Sequence, residues 1–410
     1  MGVLLFDTTF WGLRLKDLIQ CLFWVPILRA APDYHTVEDF PLISVLVPAH
    51  NEQAAIRACL QSVFEQDYPE LEVIVVDDRS EDLTASIARE MGQGRSNFKI
   101  IRVKDLPGGW TGKCHALDMG VRHASGQWFA FLDADSVLHS SALRQCYLAA
   151  IRHGVNMVTL SPRFVLKTFW EKALQPTFAA MSCILFPLAR INDPASPVAS
   201  ANGMFYLISR HAYDQIGGHR DVKGLAVEDI GIGKRVKAAG LGLLFANGRY
   251  LLHTRMYTEL GEILRGWTRI LSASMNYRLP TVLKYLCVHA LMSPVAGILA
   301  LFGFGSTAME LSAYSWLVLP AVFALASVTL PYWYCAELGI PKRYSGLMCI
   351  GNLFLIWVFL VIIKKILMKD ALQWRGTTYA TSLYQPTGLN PTGPVGVYGG
   401  PTPRLMEKAN

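Results

Sequence analysis

One repeated event constrains the fold of this chain more than any other feature: a short apolar run stops at a cluster of polar and acidic residues. Leu42-Ile43-Ser44-Val45-Leu46-Val47 stops at Pro48-Ala49-His50-Asn51-Glu52. Leu71-Glu72-Val73-Ile74-Val75-Val76 stops at Asp77-Asp78-Arg79-Ser80. Gln127-Trp128-Phe129-Ala130-Phe131-Leu132 stops at Asp133-Ala134-Asp135-Ser136. Runs this short, rich in β-branched and aromatic residues, read as buried strands. Helical spacing lies between them, with Ile56, Leu60, Val63 and Phe64 in one stretch and Ile87 and Met91 in the next. Lys99 to Val103 is expected as a further strand. Strands alternating with helices imply an α/β fold with a mostly parallel central sheet and right-handed crossovers. In open sheets of this kind the ligand sits beyond the carboxyl ends of the strands. Each polar cluster falls at such an end, so the pattern predicts a crevice where they meet.

Past the Asp133 turn the pattern is less regular. Asn156 to Leu160 and Met204 to Ile208 read as strands, the second preceded by Ser200-Ala201-Asn202-Gly203. Phe169 to Leu188 is long, apolar and interrupted by proline; it is expected to touch a membrane or to frame an acceptor site. A helix opens at Val227-Glu228-Asp229-Ile230 and closes at Gly240.

Composition adds a second unit to this picture. The chain has 410 residues, 52% hydrophobic and 17% charged, with a positive mean hydropathy. That balance is too apolar for an ordinary soluble enzyme and predicts a partly membrane-embedded chain. The formal charge of +7 suits an anionic bilayer surface or an anionic substrate. Nucleic acid is not an expected partner, because the Lys and Arg residues form no dense basic run. The eight cysteines have no metal-ligand spacing and no disulfide framework, which favours reduced thiols and a cytoplasmic catalytic part. Residues 1–40 are expected to form an amphipathic interfacial segment, 41–260 the α/β domain, and 261–280 an amphipathic helix at the bilayer interface. A transmembrane region follows over 281–370. Its three apolar stretches, about Val282 to Phe304, Tyr314 to Tyr334 and Leu347 to Leu367, each approach the roughly 20 residues that cross a hydrocarbon core. A tail covers 371–410, with disorder expected from about 385. Lys342 and Arg343 read as cytoplasmic, but Lys364, Lys365, Lys369 and Arg375 conflict with three full crossings, so their number stays open.

The polar clusters carry the chemistry. Asp133 and Asp135 are two residues apart on a turn, where hard oxygen ligands suit Mg²⁺ or Mn²⁺ that is also held by a diphosphate. The alternative is a solvated turn or a helix cap. Asp78 can accept from a base N–H or a ribose hydroxyl, and Pro48 to Glu52, with His50, can line a base pocket. Asn51, Glu52, Asp77, Asp78 and Ser80 could equally start or cap helices. Gly108-Gly109-Trp110-Thr111-Gly112-Lys113 is not a Walker A loop, which needs Gly at 107 and Ser or Thr at 114 where this chain has Pro107 and Cys114. A lysine at a helix start can still meet a diphosphate. Glu228 and Asp229 suit either a dipole-favoured helix start or a general base. Gly217-Gly218-His219 is a turn that could reach a sugar or merely cap a helix.

Taken together, Pro48-Ala49-His50-Asn51-Glu52, Asp77-Asp78-x-Ser80, Gly112-Lys113-x-x-Ala116-Leu117, Asp133-Ala134-Asp135, Gly217-Gly218-His219 and Glu228-Asp229 resemble a family 2 glycosyltransferase with the GT-A fold, over residues 41 to 270. Pro107 to Lys113 and the apolar C-terminal part resemble the hopene-associated and carotenoid-associated bacterial members. The resemblance implies an inverting transferase and a nucleotide-sugar donor. By position it implies that Asp78 binds the nucleoside, Asp133 and Asp135 the nucleotide and metal, and that Asp229 is the base with Glu228 beside it. Processive relatives carry Gln-x-x-Arg-Trp after the base. Here Leu264-Arg265-Gly266-Trp267-Thr268-Arg269 has the Trp before the Arg and no Gln, which favours transfer of a single sugar. Trp267 and His219 are candidate acceptor contacts, and Arg265 or Arg269 could meet the diphosphate; interfacial anchoring is the other reading of Trp267 and its neighbours. Trp374-Arg375-Gly376 resembles a segment that follows the membrane helices of these relatives. The expectation is a multi-pass inner-membrane enzyme moving one sugar, from a UDP-sugar, to a lipid or isoprenoid-type hydroxyl, with a divalent cation as cofactor. A processive polysaccharide synthase and a non-catalytic nucleotide-sugar-binding protein are the alternatives.

Overall fold

The computed structural model describes residues 25–29, 39–291, 332, 335, 340–368, 370, 372–374 and 377–379. Most of the expected N-terminal segment, most of the first two apolar stretches and the tail from 380 lie outside the described residues.

The expected alternation appears as β1 (Ile43–Ala49), α1 (Ile56–Phe64), β2 (Leu71–Asp78), α2 (Thr84–Gly92), β3 (Phe98–Val103), α3 (Gly112–Val121) and β4 (Trp128–Leu132). Then come β5 (Ser136–Leu138), α4 (Ala142–His153), β6 (Met157–Ser161), β7 (Arg163–Phe164), α5 (Phe169–Leu185) and α6 (Leu188–Asn192). The domain closes with β8 (Phe205–Ser209), α7 (Arg210–Gln215), α8 (Glu228–Ala238), β9 (Leu243–Asn247) and β10 (Leu252–Thr254). Seven strands form one sheet in the order β3-β2-β1-β4-β8-β6-β9. Its pairs are parallel except those of β8, which runs antiparallel to both β4 and β6. A smaller sheet, β5-β10-β7, lies beyond the end of β4.

Strands β1 and β2 are buried almost throughout, as expected for parallel strands covered on both faces. One face packs Val45, Val75, Leu132 and Val158 under α1 and α4. The other packs Leu46, Phe129, Phe131 and Tyr206 under α3, α7 and α8. The reversed direction of β8 has a direct consequence for position. Leu132 at the end of β4 pairs with Phe205 at the start of β8, so the residues leading into β8 arrive at the same rim as the carboxyl ends of β1, β2 and β4.

A third apolar cluster is separate from the sheet. It is built by α5, α9 (Leu260–Ser274), α10 (Leu279–Leu291) and α11 (Met348–Met368). Helix α5 starts with a capping box: Thr168 Oγ1 accepts from the Glu171 N–H, and a Glu171 carboxylate oxygen accepts from the Thr168 N–H. Gly351 of α11 lies against α5 so closely that a Cβ there would collide with Thr177 Oγ1 and the Ala173 carbonyl. The amphipathic helix expected at 261–280 is α9, but its apolar face packs inside this cluster. Trp267 is fully buried, stacked on Phe178 at 5.0 Å and edge-on to Phe354 at 5.3 Å. Among the described residues Lys342–Met368 is the one helical stretch long and apolar enough to cross a membrane. Leu353, Trp357 and Leu360 stand exposed on α11 while Leu355, Val358 and Phe359 are buried.

Candidate active site

The ends of β1 and β2 are tied to each other before any ligand is considered. Asn51 (φ 56°) and Arg79 (φ 57°) both adopt the left-handed region, which a non-glycine residue holds only where its surroundings over-determine it. Here the ties are explicit. The Asn51 N–H donates to Ser80 Oγ at 3.1 Å, and the Glu81 N–H donates to Asn51 Oδ1 at 2.9 Å. The Glu52 N–H donates to Thr84 Oγ1 at 2.7 Å, and His50 Nδ1 lies 2.5 Å from the Asp78 carbonyl. Asp82, not Asp77 or Asp78, accepts from the Thr84 N–H at the start of α2. The Asp78 carboxylate instead pairs with Arg79 Nε at 2.8 Å. Gly112 opens α3 directly against Asp78, and a side chain there would strike its carboxylate.

Lys113 reaches from the first turn of α3 to the opposite wall. Its ammonium lies 2.7 Å from Asp133 Oδ1 and 2.8 Å from Glu228 Oε1, and it donates to the Gly203 carbonyl at 3.3 Å. Burial works to lower the Lys113 pKa, but the charges of Asp133, Glu228 and Asp229 outweigh it and hold the ammonium above its ordinary value. Glu228 is buried, which would raise its pKa; the adjacent Lys113 charge wins and holds it below the usual carboxylate value. Asp229, one residue on, is pushed up to about 6 by burial and by the Glu228 charge. Two neighbouring carboxylates therefore differ in proton affinity because only one of them pairs directly with the lysine. Asp229 is oriented by two backbone donors: the Gly203 N–H at 2.7 Å from Oδ2 and the Ile230 N–H at 2.8 Å from Oδ1.

These groups share a cavity of about 330 Å³. Pro48, His50, Glu52, Asp78, Lys113, Asp133, Asp135, Glu228, Asp229 and Arg269 all line it. Arg269 comes from α9 and donates to the Ala226 carbonyl at 2.6 Å, just ahead of the acidic pair. Apolar side chains line the same cavity, with Phe178, Leu185 and Phe186 from α5 and its C-terminal end and Ile270 and Leu271 from α9.

Asp133 and Asp135 are hard oxygen donors on one turn, and among the described residues no cluster of three His, Cys, Asp or Glu side chains accompanies them. A donor set of two carboxylates fits Mg²⁺ or Mn²⁺ whose remaining ligands come from a diphosphate and water. Asp133 and Asp135 would hold such an ion once Lys113 released the Asp133 oxygen that it now covers.

Two expected acceptor contacts are not brought to the cavity. His219 is fully buried between Tyr206 and Tyr213, whose hydroxyls lie 2.9 Å from Nε2 and 2.8 Å from Nδ1. Burial lowers its pKa to about 3, so it serves as a neutral core hydrogen-bonding group and does not reach toward a sugar. Trp267 is a packing residue of the helical cluster, for the reason given above. One contributor escapes the motif reading, the Asn202-Gly203 turn; the apolar stretch Phe169 to Leu188, expected to touch a membrane or to frame an acceptor site, lines the cavity as α5 and its end. An Asn-Gly pair before a strand signals a turn, but nothing local says that the turn meets Asp229.

Comparison with known proteins agrees with this architecture. Residues 44–217 match the model of Glycosyl transferase family 2. The 4,4'-diaponeurosporenoate glycosyltransferase of Staphylococcus aureus strain USA300 is 26% identical over 351 residues, covering 84% of this chain and 89% of that protein. Its counterpart in strain MRSA252 is 28% identical over 262 residues, covering 63% and 68%. Among solved structures, a mannosyltransferase from Pyrobaculum calidifontis, in complex with GDP-Man and Mn²⁺, superposes with a TM-score of 0.50 at 20% identity, covering 85% of this chain and 96% of that one. Residues 44–217 are thus a family 2 glycosyl transferase domain, its sheet has the GT-A architecture, and the protein is a glycosyltransferase.

Proposed function

We propose that this glycosyltransferase moves one sugar from a nucleotide diphosphate donor, a UDP-sugar, to a hydroxyl of a lipid or isoprenoid-type acceptor, with inversion at the anomeric carbon. The observation that carries this reading is the mixed lining of a single cavity, which combines Asp78, Lys113, Asp133 and Asp229 with Phe178, Leu185, Phe186 and Ile270. A charged diphosphate suits the first set, and an extended apolar chain suits the second. The relative named for 4,4'-diaponeurosporenoate supports a carotenoid-type acceptor.

In this reading Asp78 takes the nucleoside and Lys113 the diphosphate. Asp229 removes the proton of the acceptor hydroxyl, whose oxygen then forms the new bond to the anomeric carbon. The bond from that carbon to the diphosphate oxygen breaks, and the nucleoside diphosphate leaves with the electron pair. A divalent ion held by Asp133 and Asp135 would supply further charge neutralisation for the departing diphosphate. A carboxylate whose pKa lies near 6 suits proton removal near neutral pH, being mostly ionised yet still basic. Association with a bilayer belongs to the same proposal, with the cavity on the cytoplasmic side. The length and apolarity of Lys342–Met368, and its packing on the α5 wall of the cavity, support it.

Membranes containing the protein, incubated with a panel of labelled nucleotide sugars and then extracted with organic solvent, test the reading. One labelled sugar per product lipid is expected, dependent on added Mg²⁺ or Mn²⁺. Label confined to a water-soluble product, or to a polymer, would refute it.

A further inference from the structure

We propose that Gly203 is a positioning residue for the transfer step, aiming the Asp229 carboxylate at the acceptor while Asn202 anchors the turn. The proposal rests on the reading of Asp229 as the base. The backbone of this one residue touches both the base and the lysine. The Gly203 N–H donates to Asp229 Oδ2 at 2.7 Å, and the Gly203 carbonyl accepts from Lys113 Nζ at 3.3 Å. The other Asp229 oxygen is held by the start of its own helix, through the Ile230 N–H. Gly203 therefore sets the carboxylate plane by fixing the second oxygen.

The turn itself is fastened on three sides. The Asn202 N–H donates to Thr159 Oγ1 at 2.9 Å, and Asn202 Nδ2 donates to the Leu160 carbonyl at 2.8 Å, which ties it to β6. Asn202 Oδ1 accepts from the Met204 N–H at 3.2 Å. The Met204 carbonyl accepts from the Asp133 N–H at 3.1 Å, which ties it to the turn that carries Asp133 and Asp135. Helix α8, which carries Asp229, is seated on the same segment through a second glycine. A Cβ at Gly233 would lie 2.8 Å from the carbonyl carbon of Ser200 and 2.9 Å from the nitrogen of Ala201.

The two glycines differ in what a side chain would meet. A Cβ at Gly203 would lie 2.9 Å from Asp229 Oδ2 and 3.1 Å from Lys113 Nζ, both ends of side chains that can swing away. The Gly203 backbone is not in the left-handed region, so alanine adds no strain there. At Gly233 the obstacle is backbone, which cannot yield without moving the helix. Alanine at 203 should therefore spare the fold and misplace the base, whereas alanine at 233 should damage the fold.

The test compares Gly203→Ala, Gly233→Ala and Asp229→Asn in the full-length membrane-bound protein, using the labelled nucleotide sugar that the membranes turn over, with UDP as the binding probe. For Gly203→Ala we expect an unchanged melting temperature and kcat down by about 10²-fold, the scale of a misplaced reacting group, with a loss of UDP affinity, from the displaced Lys113, that is at least tenfold smaller than the loss of kcat. Pushing the Asp229 carboxylate, which stands beside Glu228, off the residue 203 N–H should also move the acidic limb of the kcat profile to higher pH, a change that simple loosening of the fold would not cause. Wild-type kcat and pH profile in Gly203→Ala, with Asp229→Asn inactive, would overturn the positioning role and leave the base assignment standing. Unfolding of Gly203→Ala would overturn it too. Turnover by Asp229→Asn would instead remove the reading on which the proposal rests.

Discussion

Among the polar groups of the cavity, Lys113 and the carboxylates Asp78, Asp133, Glu228 and Asp229 hang from strand ends or helix starts, and their places are set by a few backbone hydrogen bonds and by Lys113. The apolar lining comes from α5 and α9, whose places are set by how those helices pack on α11. Substitutions in the first set should thus alter chemistry or binding and leave the fold intact. Substitutions in the second should alter stability first, and activity only through the shape of the wall.

The largest effect should come from Asp229→Asn, which keeps the shape of the side chain and removes its basicity. We expect kcat to fall by about 10²- to 10⁴-fold with UDP affinity retained. A lowered melting temperature in this variant would break the division between the two sets. Next comes Trp267→Ala in the helical cluster. Emptying a fully buried indole site should cost about 3–5 kcal/mol of stability, read as a lower melting temperature. A higher acceptor KM at unchanged melting temperature would mean that Trp267 reaches the acceptor after all. Gly351→Ala should cost about 1–3 kcal/mol, because α11 must move off Thr177 and Ala173. Since α5 is also the cavity wall, acceptor KM should rise while UDP affinity holds.

The smallest effect concerns pH. Transfer should increase as pH rises through about 6, where Asp229 loses its proton. Glu228→Gln removes the neighbouring charge that raises this pKa, so the acidic limb should move to lower pH by less than about one unit. A limb that stayed in place would mean that Glu228 does not tune the base. The stability linkage has the opposite sense to activity. The Asp229 pKa is higher in the folded protein than its unfolded value near 4, so the folded state holds the proton more tightly. This group alone makes stability fall as pH rises from about 4 to about 6. His219 acts the other way: its pKa is lowered to about 3, so its contribution is complete above about 6.5 and is lost as pH falls toward 3.

The strands β1, β2 and β4 were legible because burial on both faces demands continuous apolar runs, and because the switch to polar residues marks their ends. Asp78, Lys113, Asp133, Asp135 and Asp229 were legible as candidates for the same reason. The direction of β8 was not, since an apolar strand of five residues reads alike in either direction. The role of Asn202-Gly203 depends on that direction, and it stayed hidden with it. His219 followed two glycines in what looked like a surface turn; Tyr206 and Tyr213, 13 and 6 residues away, draw it into the core. Trp267 lay on an amphipathic helix, and amphipathicity alone does not say whether the apolar face meets lipid or protein.

By itself the sequence determined the layered α/β plan and the residue types gathered at its rim, because these follow from local periodicity and from the chemistry of each side chain. Only the tertiary structure decided which carboxylate pairs with Lys113, which one has the raised proton affinity, and that residues of α5 and α9 line the same cavity as these charges. Those outcomes depend on distances between residues far apart in the chain. A charge is stabilised or penalised by what lies within a few ångströms of it, and local sequence does not encode that neighbourhood.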